Sequence, residues 1–265
     1  RGVMAVIGPF NFPGHLPNGH IVPALATGNT VVFKPASHTP GVGQLIAECM
    51  EAAGLPPGVF NLIQVPGRLC DALITHEDVD GVLFTGSTGV GNRIERLTLD
   101  QPWKITALEM GGKNAALVGQ DADLELTAKE LLNAAFITCG QRCTATSQAY
   151  VHRSRLDELA SLLKKAVPKL PVGHPLNDHV FMGPIIDQRA KARLLALNEQ
   201  ARSAGVETLY EGRDLGGAGA FLTPALRTGS WRQHDYFTQE HFGPDLVLIP
   251  VDDEEQGLAH MNALE

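Results

Sequence analysis

The chain has 265 residues, a length that suits one large domain or two modest ones. Its 21 basic and 29 acidic residues give a formal net charge of -8, which argues against a nucleic-acid-binding surface. No apolar run approaches the roughly 20 residues of a membrane-spanning helix and no signal-peptide pattern opens the chain, so we expect a cytoplasmic protein without membrane contact.

The first hundred residues alternate short apolar runs with helix-like stretches. The apolar runs, which predict strands, cover residues 3–7, 30–33, 60–65 and 81–84. Helices are predicted for residues 20–26, 42–53 and 92–97. This alternation predicts right-handed βαβ units around a parallel sheet, in which ligands lie at the carboxyl ends of the strands. The loops after Ile7, Phe33 and Phe84 are therefore the predicted location of a site.

A second α/β segment runs from about Glu109 to the end of the chain. Its predicted helices cover residues 123–136, 156–169 and 188–204, and its predicted strands cover 148–152, 222–226 and 246–251. No flexible linker separates the two segments, so we expect two abutting domains, 1–108 and 109–265. Residues 262–265 resemble the middle of a helix, and neither end of the chain is taken as a natural terminus.

The four cysteines, Cys49, Cys70, Cys139 and Cys143, are interpreted as free thiols of a reducing compartment. Cys49 and Cys139 lie among apolar residues and are predicted to be small buried side chains. Cys143 follows a glycine turn and stands next to Arg142, and both features favour the thiolate. Packing is the alternative role for Cys143. No matching pair of His or Cys residues lies nearby, so we expect no metal site.

Two of the strand-end loops carry residues suited to a nucleotide. The turn into the helix at 92–97 consists of Gly86, Ser87, Thr88, Gly89, Val90 and Gly91. Glycines let the backbone approach a ligand closely and a helix N-terminus favours a phosphate, although a tight turn without a ligand is an equal alternative. Lys34 is placed to meet ribose hydroxyls or a phosphate, and the alternative there is a solvated lysine.

Two further polar residues are suited to acyl chemistry. Asn11 stands between two aromatic residues and two prolines, where its amide can serve as a preorganised donor to an oxyanion or can bind its own turn. Glu109 ends the apolar run 105–108 and precedes two glycines, so we expect a partly desolvated carboxylate that serves as a base. The alternative for Glu109 is a salt bridge to Lys104 or Lys113.

These motifs occur together in one order: Asn11-Phe-Pro, Lys34-Pro35, Gly86-Ser87-Thr88-x-x-Gly91, Glu109-x-Gly-Gly-Lys113, Gly140-Gln-x-Cys143 and Glu240-x-Phe242-Gly-Pro. Their order and spacing resemble the aldehyde dehydrogenase superfamily across essentially all 265 residues. The resemblance implies an α/β fold, with a Rossmann-like parallel-sheet cofactor domain followed by an α/β catalytic domain. It also implies that the chain is the middle half or so of a subunit that extends beyond both ends.

The resemblance implies a role for each motif. Cys143 attacks an aldehyde carbon, and Asn11 together with the backbone N–H of Cys143 stabilises the oxyanion of the thiohemiacetal. NAD takes the hydride, and Glu109 activates the water that hydrolyses the thioester to a carboxylic acid. The turn 86–91 lies by the cofactor phosphates and Lys34 by the adenosine ribose. Contact with the nicotinamide ribose and ring is implied for Glu240 and Phe242.

Within the superfamily, the stretch 11–25 is similar to the N-succinylglutamate 5-semialdehyde dehydrogenases of arginine catabolism. A substrate with several carboxylates would use cationic or donor groups, and Arg142 and His15 are the candidates; packing or capping is the alternative for His15. Ser37 stands where many NAD-preferring relatives carry a glutamate, so NADP is an alternative cofactor.

Three readings of the function remain open at the level of the sequence. The leading hypothesis is an aldehyde dehydrogenase, a homo-oligomer in its full-length form, acting on this semialdehyde or on another one. An inactive fragment that keeps the fold is the second. The third, a thiol-dependent hydrolase that uses Cys143 and Glu109 without a cofactor, leaves Lys34, the turn 86–91 and Glu240 without a role.

Overall fold

The computed structural model describes residues 2–263. They form two compact units, which divide after Gly111. The division falls after Gly111 rather than after residue 108, so Glu109 belongs to the first unit. Among the described residues, none of the helices is both long and apolar enough to cross a membrane.

The first unit is a parallel sheet with helices between its strands. Its elements are β1 (Val3–Ile7), α1 (His15–Ala26), β2 (Thr30–Lys34), α2 (Pro40–Ala52), β3 (Phe60–Leu62), α3 (Cys70–Ile74), β4 (Gly81–Gly86), α4 (Thr88–Thr98) and β5 (Ile105–Met110). The strand order is β3-β2-β1-β4-β5, and every neighbouring pair is parallel. The predicted α/β fold with a parallel first sheet is thus confirmed.

The side chains of β1 show why this sheet is covered on both faces. Ala5 and Ile7 belong to one buried cluster, together with Val82 and Ile94, whereas Met4 and Val6 belong to another cluster on the alternate side of the strand. Successive residues of a strand point to opposite faces. Central strands of a parallel sheet are therefore apolar at nearly every position, which is the pattern that predicted them.

Helix α1 begins at His15, five residues before the predicted start at 20. Pro17 and Gly19 weaken the helical pattern of the sequence in that interval. Pro17 lies in the first helical turn, where its missing N–H costs nothing, and it is buried close to Gly8. Tertiary packing thus extends the helix past residues of low helix propensity.

Cys49 is exposed, so the prediction that it is a buried side chain was wrong. Helix α2 packs one face through Gly43, Ile46 and Met50, and Cys49 lies off that stripe. Cys139 is buried, as predicted.

The second unit is a mixed five-stranded sheet with helices. Its elements are β6 (Asn114–Val118), α5 (Leu124–Phe136), β7 (Thr146–His152), α6 (Leu156–Ala166), α7 (Gln188–Ser203), β8 (Glu207–Tyr210), β9 (Ala225–Thr228), α8 (Asp235–Thr238), β10 (Asp245–Val251) and α9 (Glu254–Asn262). The strand order is β6-β7-β10-β9-β8, with β8 antiparallel to β9 and the other pairs parallel.

Prolines explain two of the differences from the predicted bounds. The strand predicted at 222–226 begins only at Ala225, because Pro224 has no N–H to donate to a ladder. The helix predicted at 156–169 ends at Ala166 and continues as a single 3₁₀ turn that contains Pro168. The helix predicted through 262–265 ends at Asn262, and residues 264 and 265 lie outside the described residues.

Candidate active site

Four of the predicted site segments of the first unit lie at the carboxyl edge of its sheet. Asn11 is half-buried in the turn after β1, Lys34 is the last residue of β2, and Gly86 is the last residue of β4. Glu109 is the residue before the end of β5 and pairs in register with Thr85. Because all five strands are parallel, one edge of the sheet gathers these residues although they are far apart in sequence.

Lys34 is 5% exposed, which excludes a freely solvated lysine. It is the last residue of β2, so this buried cation lies at the carboxyl edge of the sheet. Burial raises the pKa of the neighbouring Cys70 thiol, while the positive charge of Lys34 lowers it. The charge of Lys34 therefore affects the ionisation of the Cys70 thiol.

The turn 86–91 is more helical than predicted. Helix α4 begins at Thr88, so Thr88 to Gly91 form its first turn, and the N–H groups of Val90 and Gly91 both point to the Ser87 carbonyl. Gly91 is buried, and a Cβ placed there would lie 2.3 Å from the sulfur of Met110. The glycine therefore permits close packing of the helix on β5, with the N-terminal turn at the sheet edge.

Glu109 is exposed, so the expected partial desolvation was wrong. The physical reason is its position on β5, the edge strand of the sheet, which has a neighbouring strand on one side only. The lysines considered as salt-bridge partners bind elsewhere. Lys104 donates to the carbonyls of Ile74 and His76, and Lys113 contacts His241.

His20 is a polar residue of this edge that the sequence reasoning missed. Its Nε2 lies 3.1 Å from the hydroxyl of Thr85, the register partner of Glu109. Burial lowers the pKa of His20, and the Glu109 carboxylate raises it in part. The available signal was its place on α1 beside the buried residues Pro17, Ile21 and Ala24, where an apolar residue would be expected.

In the second unit, two cysteines of the loop between α5 and β7 differ in accessibility. Cys139 is 6% exposed, and burial raises the pKa of its thiol to about 11, while its sulfur donates to the carbonyl of Gly183. Cys143 is half-buried. Asn114 holds this loop, since its side-chain amide donates to the carbonyl of Cys143 at 2.5 Å. Cys139 is thus an inert packing thiol, and Cys143 is the accessible one.

The loop of Cys143 is turned by two successive left-handed residues, Cys139 (φ 56°) and Gly140 (φ 61°). The side-chain carbonyl of Gln141, which is buried, accepts the N–H of Ile186. Arg142 is exposed. His15, the other candidate for substrate carboxylates, is the exposed first residue of α1 in the first unit.

The segment 240–243 packs against this loop. A Cβ on Gly140 would lie 2.1 Å from the carbonyl oxygen of Gly243, so the two backbones are in direct contact. Phe242 is half-buried and has a left-handed backbone (φ 53°), which few non-glycine residues adopt. Both segments line one small, open cavity, together with Gly112.

Glu240 is half-buried in this cavity wall. Burial raises the pKa of its carboxyl, whereas the N–H of Gly112 and the charges of Lys113 and Arg193 lower it. Its Oε1 atom is buried and has no hydrogen-bond partner among the described residues. A buried carboxylate oxygen without a donor suits a ligand that brings a hydroxyl.

The described residues contain no candidate metal centre. No group of three or more His, Cys, Asp or Glu side chains within residues 2–263 is placed to hold a metal ion.

Comparison with known proteins identifies relatives of this chain. The family model described as "Aldehyde dehydrogenase family" matches residues 1–265. N-succinylglutamate 5-semialdehyde dehydrogenase of Novosphingobium aromaticivorans is 40% identical over 263 residues, which are 99% of this chain and 56% of that relative. N-succinylglutamate 5-semialdehyde dehydrogenase 1 of Caulobacter vibrioides is 41% identical, over 99% of this chain and 56% of its own length.

Two solved structures are similar over nearly the whole chain. Methylmalonate-semialdehyde dehydrogenase from Oceanimonas doudoroffii gives a TM-score of 0.95 at 31% identity, covering 100% of this chain and 55% of that one. Aldehyde dehydrogenase C from Pseudomonas syringae, in a complex with NAD+ and octanal, gives 0.92 at 31% identity, covering 99% and 55%. The chain thus spans about half the length of the curated relatives and solved structures that it matches.

Proposed function

The chain belongs to the aldehyde dehydrogenase family, and from that membership we propose that it carries the reacting residues of an NAD(P)-dependent oxidation of an aldehyde to a carboxylic acid. The observation that carries the proposal is the buried Oε1 atom of Glu240, which has no partner among the described residues and belongs to a residue lining the same cavity as Gly140 and Arg142 of the nucleophile loop. A ribose hydroxyl of a dinucleotide supplies the donor that this oxygen needs.

Cys143 is the proposed nucleophile. Its thiolate attacks the aldehyde carbon, and the resulting thiohemiacetal oxyanion accepts hydrogen bonds from the Asn11 amide and the Cys143 backbone N–H. NAD(P), when bound, supplies the hydride acceptor. The acyl group then remains on Cys143 as a thioester, and Glu109 removes a proton from the water that hydrolyses it.

The cofactor contacts are proposed from the resemblance and from burial. Lys34 and the first turn of α4 hold the adenosine ribose and the phosphates, and Glu240 with Phe242 holds the nicotinamide ribose and ring. The N-terminus of α4 and the buried lysine both suit negative or hydroxyl-rich groups. Ser37 carries no charge that would repel a 2′-phosphate, so NADP is included as a cofactor.

The proposed substrate is N-succinylglutamate 5-semialdehyde. Relatives of about 40% identity carry that name, and the motif 11–25 favours the same branch. The exposed Arg142 beside the nucleophile is proposed to bind a substrate carboxylate, and His15 is the second candidate. The location in the cytoplasm and the homo-oligomer remain predictions.

The test compares variants of the full gene product that carries this chain. Formation of NADH and NADPH is measured with N-succinylglutamate 5-semialdehyde and with simple aliphatic aldehydes. We expect Cys143→Ser to abolish formation of both, while Cys49→Ser, which changes an exposed cysteine, keeps the wild-type rate. Equal activity in wild type and Cys143→Ser would contradict the proposal. Parallel assays of the 265-residue chain alone show whether this length suffices.

The role of Glu109 has its own readout. If Glu109 acts only on the thioester, Glu109→Gln gives one rapid burst of NADH per site followed by slow turnover. Loss of the burst itself would place Glu109 before the hydride step and contradict its assigned role.

A further inference from the structure

His241, the residue after Glu240, is buried where a loop side chain would ordinarily face solvent. It is 4% exposed, and its ring lies 4.8 Å from the ring of Tyr236. The amino nitrogen of Lys113 lies 3.2 Å from its Nδ1 and 3.1 Å from its Nε2. The carbonyl of His241 accepts a hydrogen bond of 2.6 Å from Arg193. Both the side chain and the backbone of this residue are therefore held.

Behind the histidine stands a buried ion pair. Asp245 is 4% exposed and accepts hydrogen bonds from Arg227 at 2.8 Å and from the Tyr236 hydroxyl at 2.5 Å. Nδ1 of His241 lies 3.8 Å from the same carboxylate. Because Asp245 is the first residue of β10, this anchor belongs to the rigid part of the unit.

The charges of this cluster leave His241 neutral. Burial lowers its pKa to about 3, and the charge of Lys113 lowers it further against the attraction of Asp245. Burial also lowers the pKa of Lys113 to about 7, and Asp245 and Glu240 are the carboxylates that oppose this shift. The amino group of Lys113 therefore lies against a neutral ring rather than against a second cation.

Lys113 also connects to Glu240 through its own backbone neighbour. The backbone N–H of Gly112 and the charge of Lys113 both lower the pKa of the Glu240 carboxyl and so favour its ionised form. One short segment, 112–113, thus holds two consecutive residues of the loop, Glu240 by its carboxylate and His241 by its ring.

We propose that Lys113 and His241 are positioning residues that hold Glu240 so that its unpaired carboxylate oxygen meets the nicotinamide ribose. This inference rests on the proposed function, because it assumes that a dinucleotide binds along segment 240–242. Neither residue touches the cofactor in this scheme; each acts through the orientation of Glu240.

The proposed positioning role predicts different changes in affinity for two ligands, NADH and AMP. NADH contains the ribose assigned to Glu240, whereas AMP contains only the adenosine end, assigned to Lys34 and the turn 86–91. Lys113→Met, which keeps the length of the side chain and removes its amino group, is expected to weaken NADH binding about tenfold and to change AMP binding less than about twofold. In kinetics, the KM for NAD rises by a similar factor while the KM for the aldehyde stays constant.

The experiment measures the Kd of NADH by fluorescence and the Kd of AMP by competition, on the full gene product. Lys104→Met is the matched control, since Lys104 is a buried lysine of the first unit whose amino group donates to the backbone carbonyls of Ile74 and His76. Its variant is expected to leave the ratio of the two Kd values unchanged. In a Glu240→Gln background, Lys113→Met is expected to cause no further loss of NADH affinity, because its effect passes through Glu240.

Equal losses of NADH and AMP affinity in Lys113→Met, or a full additional loss in the Glu240→Gln background, would overturn the inference. If Lys113→Met does not fold, His241→Gln answers the same question with the same two ligands. A wild-type protein that binds neither NADH nor NADPH overturns the proposed function itself. If wild type and Lys113→Met bind NADH with equal affinity, the positioning role alone is overturned.

Discussion

The contact between the nucleophile loop and segment 240–243 predicts that Gly140→Ala destabilises the second unit strongly. Gly140 has φ +61°, and an alanine pays about 1–2 kcal/mol for a left-handed backbone. Its Cβ would stand 2.1 Å from the carbonyl oxygen and 2.3 Å from the carbonyl carbon of Gly243. Both atoms are backbone, so one of the two loops has to move, at a typical cost of about 1–3 kcal/mol. The total is about 2–5 kcal/mol.

Gly217→Ala isolates the steric part of this loss. Gly217 lies in the same unit with φ +76°, and nothing stands within 4 Å of a Cβ there. The backbone strain and the entropy change of the unfolded chain are common to both variants, so their difference reports the overlap alone, about 1–3 kcal/mol.

Urea unfolding followed by tryptophan fluorescence measures this difference. The chain has two tryptophans, and in a Trp103→Phe background the signal comes from Trp231, which lies in the second unit and stacks on His260. Free energies of unfolding of Gly140→Ala and Gly217→Ala that agree within about 0.5 kcal/mol would refute the predicted contact.

Two other predictions concern the buried cluster. Asp245→Asn leaves Arg227, 1% exposed, without its anion and is expected to cost about 3–5 kcal/mol in urea unfolding. Asp252→Asn, which breaks the exposed pair with Arg153, is expected to cost far less, and similar losses in the two variants would contradict the assigned burial. The pKa of His241 is lowered to about 3, so the unfolded chain gains a proton at this residue as pH falls below about 6.5 and stability is lost from there towards pH 3. His241→Gln is expected to reduce that slope by up to about 1.4 kcal/mol per pH unit, and unchanged slopes measured by urea unfolding between pH 4 and 6 would count against a neutral buried His241.

Sequence patterns predicted the elements whose causes are local. The first, second and fourth strands of the first unit are short β-branched and apolar runs, and buried parallel strands have that composition whatever surrounds them. Helix α5 begins at Leu124, one residue after the predicted start at 123, because Asp123 caps it by accepting the N–H groups of Glu125 and Leu126. The burial predicted for Cys139 was likewise available from the apolar residues beside it.

Only the tertiary structure decided which polar groups are enclosed. Glu109 is exposed because β5 is an edge strand, a fact of sheet order that its own neighbours in sequence do not contain. Lys113 and His241 are 128 positions apart and carry no shared motif, yet the amino group of one lies against the ring of the other. Strand runs, caps and glycine turns were determined by the sequence, because they depend on residues within a few positions of each other. The burial of charges, and with it the pKa of each group, depends on what other segments bring into contact, so the fold decided it.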